Sequence, residues 1–143
     1  MKDLKEIACY LLDMDGTVYL GSKMLSGSLD FLRHVKAMGC DVLFLTNNSS
    51  RSANYYAEKL TKMGWPATPE DILTSGVATA AYITALTPQA RVYLVGTPDL
   101  AEEFSRWGIV LTDQQPDYVV LGFDTTLTYE KLQTACRLIN EGV

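Results

Sequence analysis

Five short apolar runs alternate with five stretches of helical period along this chain, and that alternation restricts the folds open to it more than any other feature. The runs are Ile7 to Leu12, Asp41 to Leu45, Ile72 to Ser75, Arg91 to Val95 and Tyr118 to Leu121. Each has the length of a strand, and continuous rather than alternating hydrophobicity suits parallel strands covered on both faces. Strands separated by helices point to a mainly parallel α/β sheet with a Rossmann-like core.

The helices announce themselves by their ends. Ser28 is placed to cap a helix with Leu29, Leu32, Val35 and Met38 on one face, and Gly39 stops it. A second runs from about Ser52 to Met63, before Gly64. Thr68-Pro69-Glu70-Asp71 combines a cap, a proline at the first helical position and an acid three residues after the cap, which predicts a short helical turn. An alanine-rich helix is expected over Val77 to Leu86, broken by Thr87-Pro88-Gln89. Thr97 with Pro98 opens another, ended by Gly108, and Thr128 caps a last one from Tyr129 to about Asn140, with Gly142 beyond. Between the first strand and helix lies a loop containing Gly21, Ser22, Ser26 and Gly27.

A net charge of −5 argues against a nucleic-acid or anionic-membrane surface, which calls for clustered Lys and Arg. It leaves room for a small phosphate ester whose charge a bound cation offsets. Cys9, Cys40 and Cys136 are odd in number, far apart and set among apolar neighbours, so buried structural thiols in a reducing compartment are expected. No apolar run approaches the ~18 residues of a membrane span. Met1 to Glu6 carries acids and does not resemble a signal peptide, so a cytoplasmic location is expected.

The chemistry lies where the first two strands end. Leu11-Leu12-Asp13-Met14-Asp15-Gly16-Thr17 closes the first, with Asp13 and Asp15 two apart and therefore on one face, Met14 turned away and Gly16 allowing a sharp turn. Thr46-Asn47-Asn48-Ser49-Ser50 closes the second. Ligands of parallel α/β sheets bind at this end of the strands. One carboxylate can attack phosphorus, while the other, its pKa raised by its neighbour and by partial burial, protonates the leaving oxygen. The Thr46 hydroxyl, the Asn48 amide and backbone N–H groups of the turn can hold phosphoryl oxygens. Two carboxylates facing a phosphate require a divalent cation, and Mg²⁺ fits an oxygen-only site.

Blander readings compete. An Asp-x-Asp-Gly sequence is often only a turn, and Thr46 to Ser50 alone can be a polar cap cluster. A calcium loop starting at Asp13 fails, because Val18 stands where its glycine belongs and Met24 where its glutamate belongs. A phosphoacceptor receiver would place its Asp at the end of the third strand, which here carries Thr74-Ser75. What decides is the joint occurrence of both motifs at successive strand ends. Elsewhere, His34 reads as a surface residue, Trp65, Trp107, Tyr55 and Tyr56 as packing residues, and Asp124-Thr125-Thr126 as a polar loop, with a substrate-facing loop as its alternative.

Asp13-Met14-Asp15-Gly16-Thr17 resembles the D-x-D-G-T motif of the haloacid dehalogenase-like hydrolases, and Leu43 to Asn48 resembles their second motif, a strand ending in Thr or Ser. The T-N-N-S form, Thr74-Ser75-Gly76, Val92 to Gly96 and Asp117 to Asp124 are similar to the NagD-type and 4-nitrophenylphosphatase-type subgroup. The resemblance implies hydrolysis of a small-molecule phosphate monoester through an aspartyl-phosphate. Asp13 would be nucleophile and Mg²⁺ ligand. Asp15 would be the general acid and base and offer its backbone carbonyl to the metal, and Thr46, Asn47 and Asn48 would bind the phosphoryl group. Val18 to Leu25 would be a mobile flap. Residues 1–87 would be the N-terminal part of the catalytic core and 88–143 the first part of an α/β cap. The family's third-motif lysine and fourth-motif acidic pair have no counterpart here, and Lys131 is not assigned to that role, so the N-terminal portion of a longer hydrolase is expected. A non-catalytic, phosphate-binding fragment is the alternative.

Overall fold

Residues 7–143 are described by the computed structural model; the leading segment Met1 to Glu6 lies outside them. The described residues form two compact units, one made of residues 7–46 and 53–73, the other of 47–52 and 74–143.

In the first unit, β1 (Cys9–Asp13) pairs in parallel with β4 (Asp41–Thr46), and β5 (Ile72–Thr74) flanks β4 on its other side. Between β1 and β4 the chain forms a hairpin, β2 (Tyr19–Leu20) and β3 (Lys23–Met24), and helix α1 (Ser28–Ala37). Helix α2 (Ala53–Lys62) follows β4 in this unit. Leu32 and Val35 of α1, Val42 and Phe44 of β4, and Tyr56, Ala57 and Leu60 of α2 make its core. The helical turn expected at Thr68 is a 3₁₀ turn over Pro69–Asp71, closed by the Thr68 N–H donating to the Asp71 carboxylate at 2.8 Å.

The first strand is not covered on both faces as its sequence suggests. Tyr10 and Leu12 pack on the core, whereas Cys9, Leu11 and Asp13 are exposed, Leu11 by 62%. A continuous apolar run records the demand for cover on both sides, and no described residue of this unit meets it at Leu11. The α1 cap also differs: Gly27 is the N-cap, with φ +84°, and Ser28 is the first helical residue. A turn in which the Ser28 N–H donates to the Leu25 carbonyl forces the left-handed conformation at Gly27.

In the second unit, β6 (Arg91–Val95) lies between β7 (Val110–Leu111) and β8 (Tyr118–Leu121), parallel to both. Helices α3 (Ser75–Leu86), α4 (Pro98–Arg106) and α5 (Tyr129–Asn140) complete it. Val92 and Leu94 face Ala80 and Ile83 of α3 and Leu100 and Phe104 of α4. Tyr93, between them, donates its hydroxyl to the Lys131 carbonyl on α5, so helices cover both faces of β6. Helix α3 starts earlier than Val77, because the Thr74 hydroxyl accepts the Val77 N–H and caps Ser75. The Thr97 and Thr128 caps form as expected.

The cysteines correct the sequence reading: Cys40 is buried, but Cys9 and Cys136 are exposed, one on the open face of β1 and one on the outer side of α5. Trp65 and Tyr56 are core residues, whereas Trp107 and Tyr55 lie at the surface. Apolar neighbours in sequence do not fix which side of an element a residue occupies. His34 is exposed, as expected.

Candidate functional site

Asp13 is the last residue of β1 and stands in register with Leu45, so Asp13 and Thr46 occupy the same end of two paired parallel strands. The backbone then wraps round one carbonyl. Met14 C=O accepts N–H groups from Thr17, Val18 and Tyr19 at 3.3, 2.9 and 3.1 Å, and the Gly16 N–H donates to Tyr19 C=O at 2.7 Å. Gly16 takes φ +85°, which only glycine adopts at little cost. Met14 is fully buried in the core and anchors the turn, while Asp13 and Asp15 on either side are exposed. The partial burial expected of the carboxylates is therefore absent. Asp13 accepts a hydrogen bond from the Thr17 hydroxyl at 3.1 Å.

The segment Val18 to Leu25 contains the β2–β3 hairpin, whose two-residue strands are too short to show alternation in sequence. Its Tyr19 ring is buried, with the Lys59 ammonium 3.9 Å from the ring centroid, a cation–π contact. Burial pushes the Tyr19 phenol well above its ordinary range, and the neighbouring Tyr56, Asp15, Tyr55 and Asp13 push it further. Sequence reasoning missed Tyr19; the signal available was an aromatic residue four positions after Asp15 in a Gly-bounded segment.

Asn47 and Asn48 follow Thr46 in the chain and pack with the second unit. The Asn48 side-chain Oδ1 accepts both the N–H and the hydroxyl of Ser50, at 2.9 and 2.7 Å, an Asx turn. Asp124 of the polar loop is committed internally. Its carboxylate accepts the Lys131 ammonium at 2.6 Å and the Thr126 N–H and hydroxyl at 2.8 and 2.7 Å. Burial alone would raise the Asp124 carboxyl, but the hydrogen bonds from Lys131 and Thr126 and the lysine charge hold it below the usual carboxylate range. Lys131 also donates to the Gly96 carbonyl at 3.0 Å, so it serves this loop.

The Asp13 carboxylate and the Asp15 carbonyl are the hard oxygen donors Mg²⁺ takes, in the one or two protein ligands it commonly uses alongside water and substrate. Among the described residues no group of three His, Cys, Asp or Glu gathers for a metal.

The family model of the haloacid dehalogenase-like hydrolases matches residues 10–110 of this chain. The chain belongs to that family. Within it, the chain is similar to the NagD-type and 4-nitrophenylphosphatase-type subgroup. An acid sugar phosphatase of Staphylococcus aureus is 38% identical over 140 residues, covering 97% of this chain and 54% of the relative. The structure of a 4-nitrophenylphosphatase from Thermotoga maritima matches with TM-score 0.93 and 43% identity over 96% of this chain and 53% of that one. A glycerol phosphate phosphatase from Mycobacterium tuberculosis, in complex with magnesium, matches with TM-score 0.88 and 37% identity over 96% of this chain and 43% of that one. The chain spans about half the length of the curated relatives it matches. No helix among the described residues is long and apolar enough to cross a membrane.

Proposed function

We infer that this chain provides the nucleophile-bearing part of a phosphatase acting on small-molecule phosphate monoesters. The observation that carries the reading is the placement of Asp13 and Thr46 at one end of paired parallel strands, with Met14 buried and both carboxylates outward. Family membership and the names of the phosphatase relatives support it.

Asp13 Oδ attacks phosphorus, forming an acyl phosphate as the bond to the leaving oxygen breaks. Asp15 gives that oxygen a proton, then takes one from the water that attacks phosphorus, breaking the bond to Asp13 and releasing inorganic phosphate. Thr46, Asn47 and Asn48 bind the non-bridging oxygens. The Asp13 carboxylate and the Asp15 backbone carbonyl would hold Mg²⁺, which would supply charge neutralisation there. The cysteines Cys9, Cys40 and Cys136 are free thiols, in keeping with a reducing, cytoplasmic setting.

A second reading, phosphate binding without turnover, is favoured by the lack of a three-ligand metal cluster among the described residues. Mg²⁺-dependent hydrolysis of an aryl phosphate, measured for this chain and for Asp13→Asn, separates them. Turnover abolished in the variant supports the enzyme. Phosphate binding with no turnover in either supports the second reading, and turnover that survives in the variant removes Asp13 as nucleophile.

A further inference from the structure

The turn Asn47 to Ser52 is built into the second unit by groups from three of its elements. Ser75 Oγ, at the start of α3, donates to the Asn47 carbonyl at 2.9 Å. The Thr97 hydroxyl, at the N-cap of α4, donates to the Ser50 carbonyl at 3.0 Å. The Phe123 N–H, just past β8, donates to Ser49 Oγ at 2.8 Å. Ser49, Ser50 and Thr97 are all buried, at 6%, 6% and 4% exposure.

Capping α4 asks of Thr97 only a lone pair, which accepts the Leu100 N–H at 3.3 Å. Its proton is not needed for the cap and is spent on the turn. Ser49 is a buried hydroxyl whose oxygen accepts an N–H from 74 residues away in sequence. With the Asn47 carbonyl, the Ser49 hydroxyl and the Ser50 carbonyl each tethered, the peptide planes between them are fixed, and with them the direction in which Asn47 and Asn48 project.

We propose that Ser49 and Thr97 are positioning residues for phosphate recognition, holding Asn47 and Asn48 in the conformation that meets phosphoryl oxygens. This rests on the phosphatase reading above. Donors aimed before the ligand arrives bind it without an ordering cost, and a loosened turn forfeits that advantage.

The test is the dissociation constant of inorganic phosphate in the presence of Mg²⁺, measured calorimetrically on the chain beside its melting temperature. Ser49→Ala and Thr97→Val each weaken phosphate binding about tenfold, the scale of one lost hydrogen bond. Thr97→Ser keeps both the cap and the donated proton and binds within about twofold of the parent. Leu138→Ala, which opens a cavity under α5 in the same unit and touches none of the tethers, also binds within about twofold. Parent-like binding by Ser49→Ala and Thr97→Val overturns the proposal, as does an equal loss in Leu138→Ala, which would make the effect mere loosening. Should Thr97→Val not fold, Ser49→Ala carries the comparison alone. A parent chain that binds no phosphate removes the underlying reading, and this one with it.

Discussion

The Thr17 hydroxyl donates to Asp13 Oδ2 at 3.1 Å, a bond made possible because Met14 C=O gathers the turn that brings residue 17 back over residue 13. Its effect is to orient the carboxylate that is proposed to attack phosphorus. Hydrogen bonds to charged groups are worth about 1.5–3 kcal/mol, and solvent exposure here reduces this to about 1 kcal/mol. Thr17→Val therefore lowers turnover of an aryl phosphate roughly fivefold, and Thr17→Ser restores it. Steady-state kinetics beside a melting curve checks this, and an unchanged kcat in the valine variant would mean that water replaces the hydroxyl.

Among the described residues, the ion pair of Asp124 and Lys131 is the salt bridge with a nearly inaccessible carboxylate, its side chain 2% exposed against 28% for the lysine. Removing one partner of such a pair costs about 3 kcal/mol, because the other is left without compensation. Asp124→Asn lowers the urea midpoint accordingly at neutral pH. Since folding depresses this carboxyl, its contribution is present above the ordinary value of 3.8 and fades as pH falls through the lower folded value. Urea titrations at neutral and acid pH should show the gap between parent and variant closing on acidification; a gap independent of pH contradicts the assignment.

Tyr19 gives the opposite limb. Its phenol is raised in the folded chain, so the protonated form contributes fully below the ordinary value of 10.0, and stability declines above it as the unfolded chain ionises while the buried ring does not. In Tyr19→Phe that component of the alkaline decline is missing. Unfolding free energies compared between about pH 9 and pH 11 read the difference, and parallel curves for the two proteins refute it.

Leu100 sits where three glycines leave room for it. A Cβ on Gly76 or Gly122 would stand 2.5 Å from a Leu100 methyl, and one on Gly96 2.9 Å. Leu100→Ala costs about 3 kcal/mol through the cavity it leaves. Gly122→Ala alone is destabilising through overlap, whereas added to Leu100→Ala it costs less, since the new methyl enters the vacated space. Denaturant unfolding of the four proteins in a double-mutant cycle gives the coupling, and additive losses would show that the methyl is accommodated elsewhere.

Much of the local structure was readable before the fold. The strand Arg91–Val95, the strand Tyr118–Leu121 and the helix Tyr129–Asn140 run as their residues indicate, because hydrophobic period, a Thr cap and a terminating Gly all act within a few positions. The hairpin at Tyr19 and the two-residue strand β7 were not, since strands that short carry no period and exist only through their partners.

The residue sequence by itself determined the alternation of strands and helices, and it set Asp13, Asp15 and Thr46 at strand ends, for those features are spelled by neighbouring residues. Tertiary structure alone decided that Cys9 and Leu11 face outward, that Asp124 is neutralised by Lys131, and that the turn Asn47 to Ser52 is tethered by Ser75, Thr97 and Phe123. Each of those depends on contacts between segments distant in the chain, where burial and hydrogen-bond partners are set by packing rather than by the residue's own neighbours.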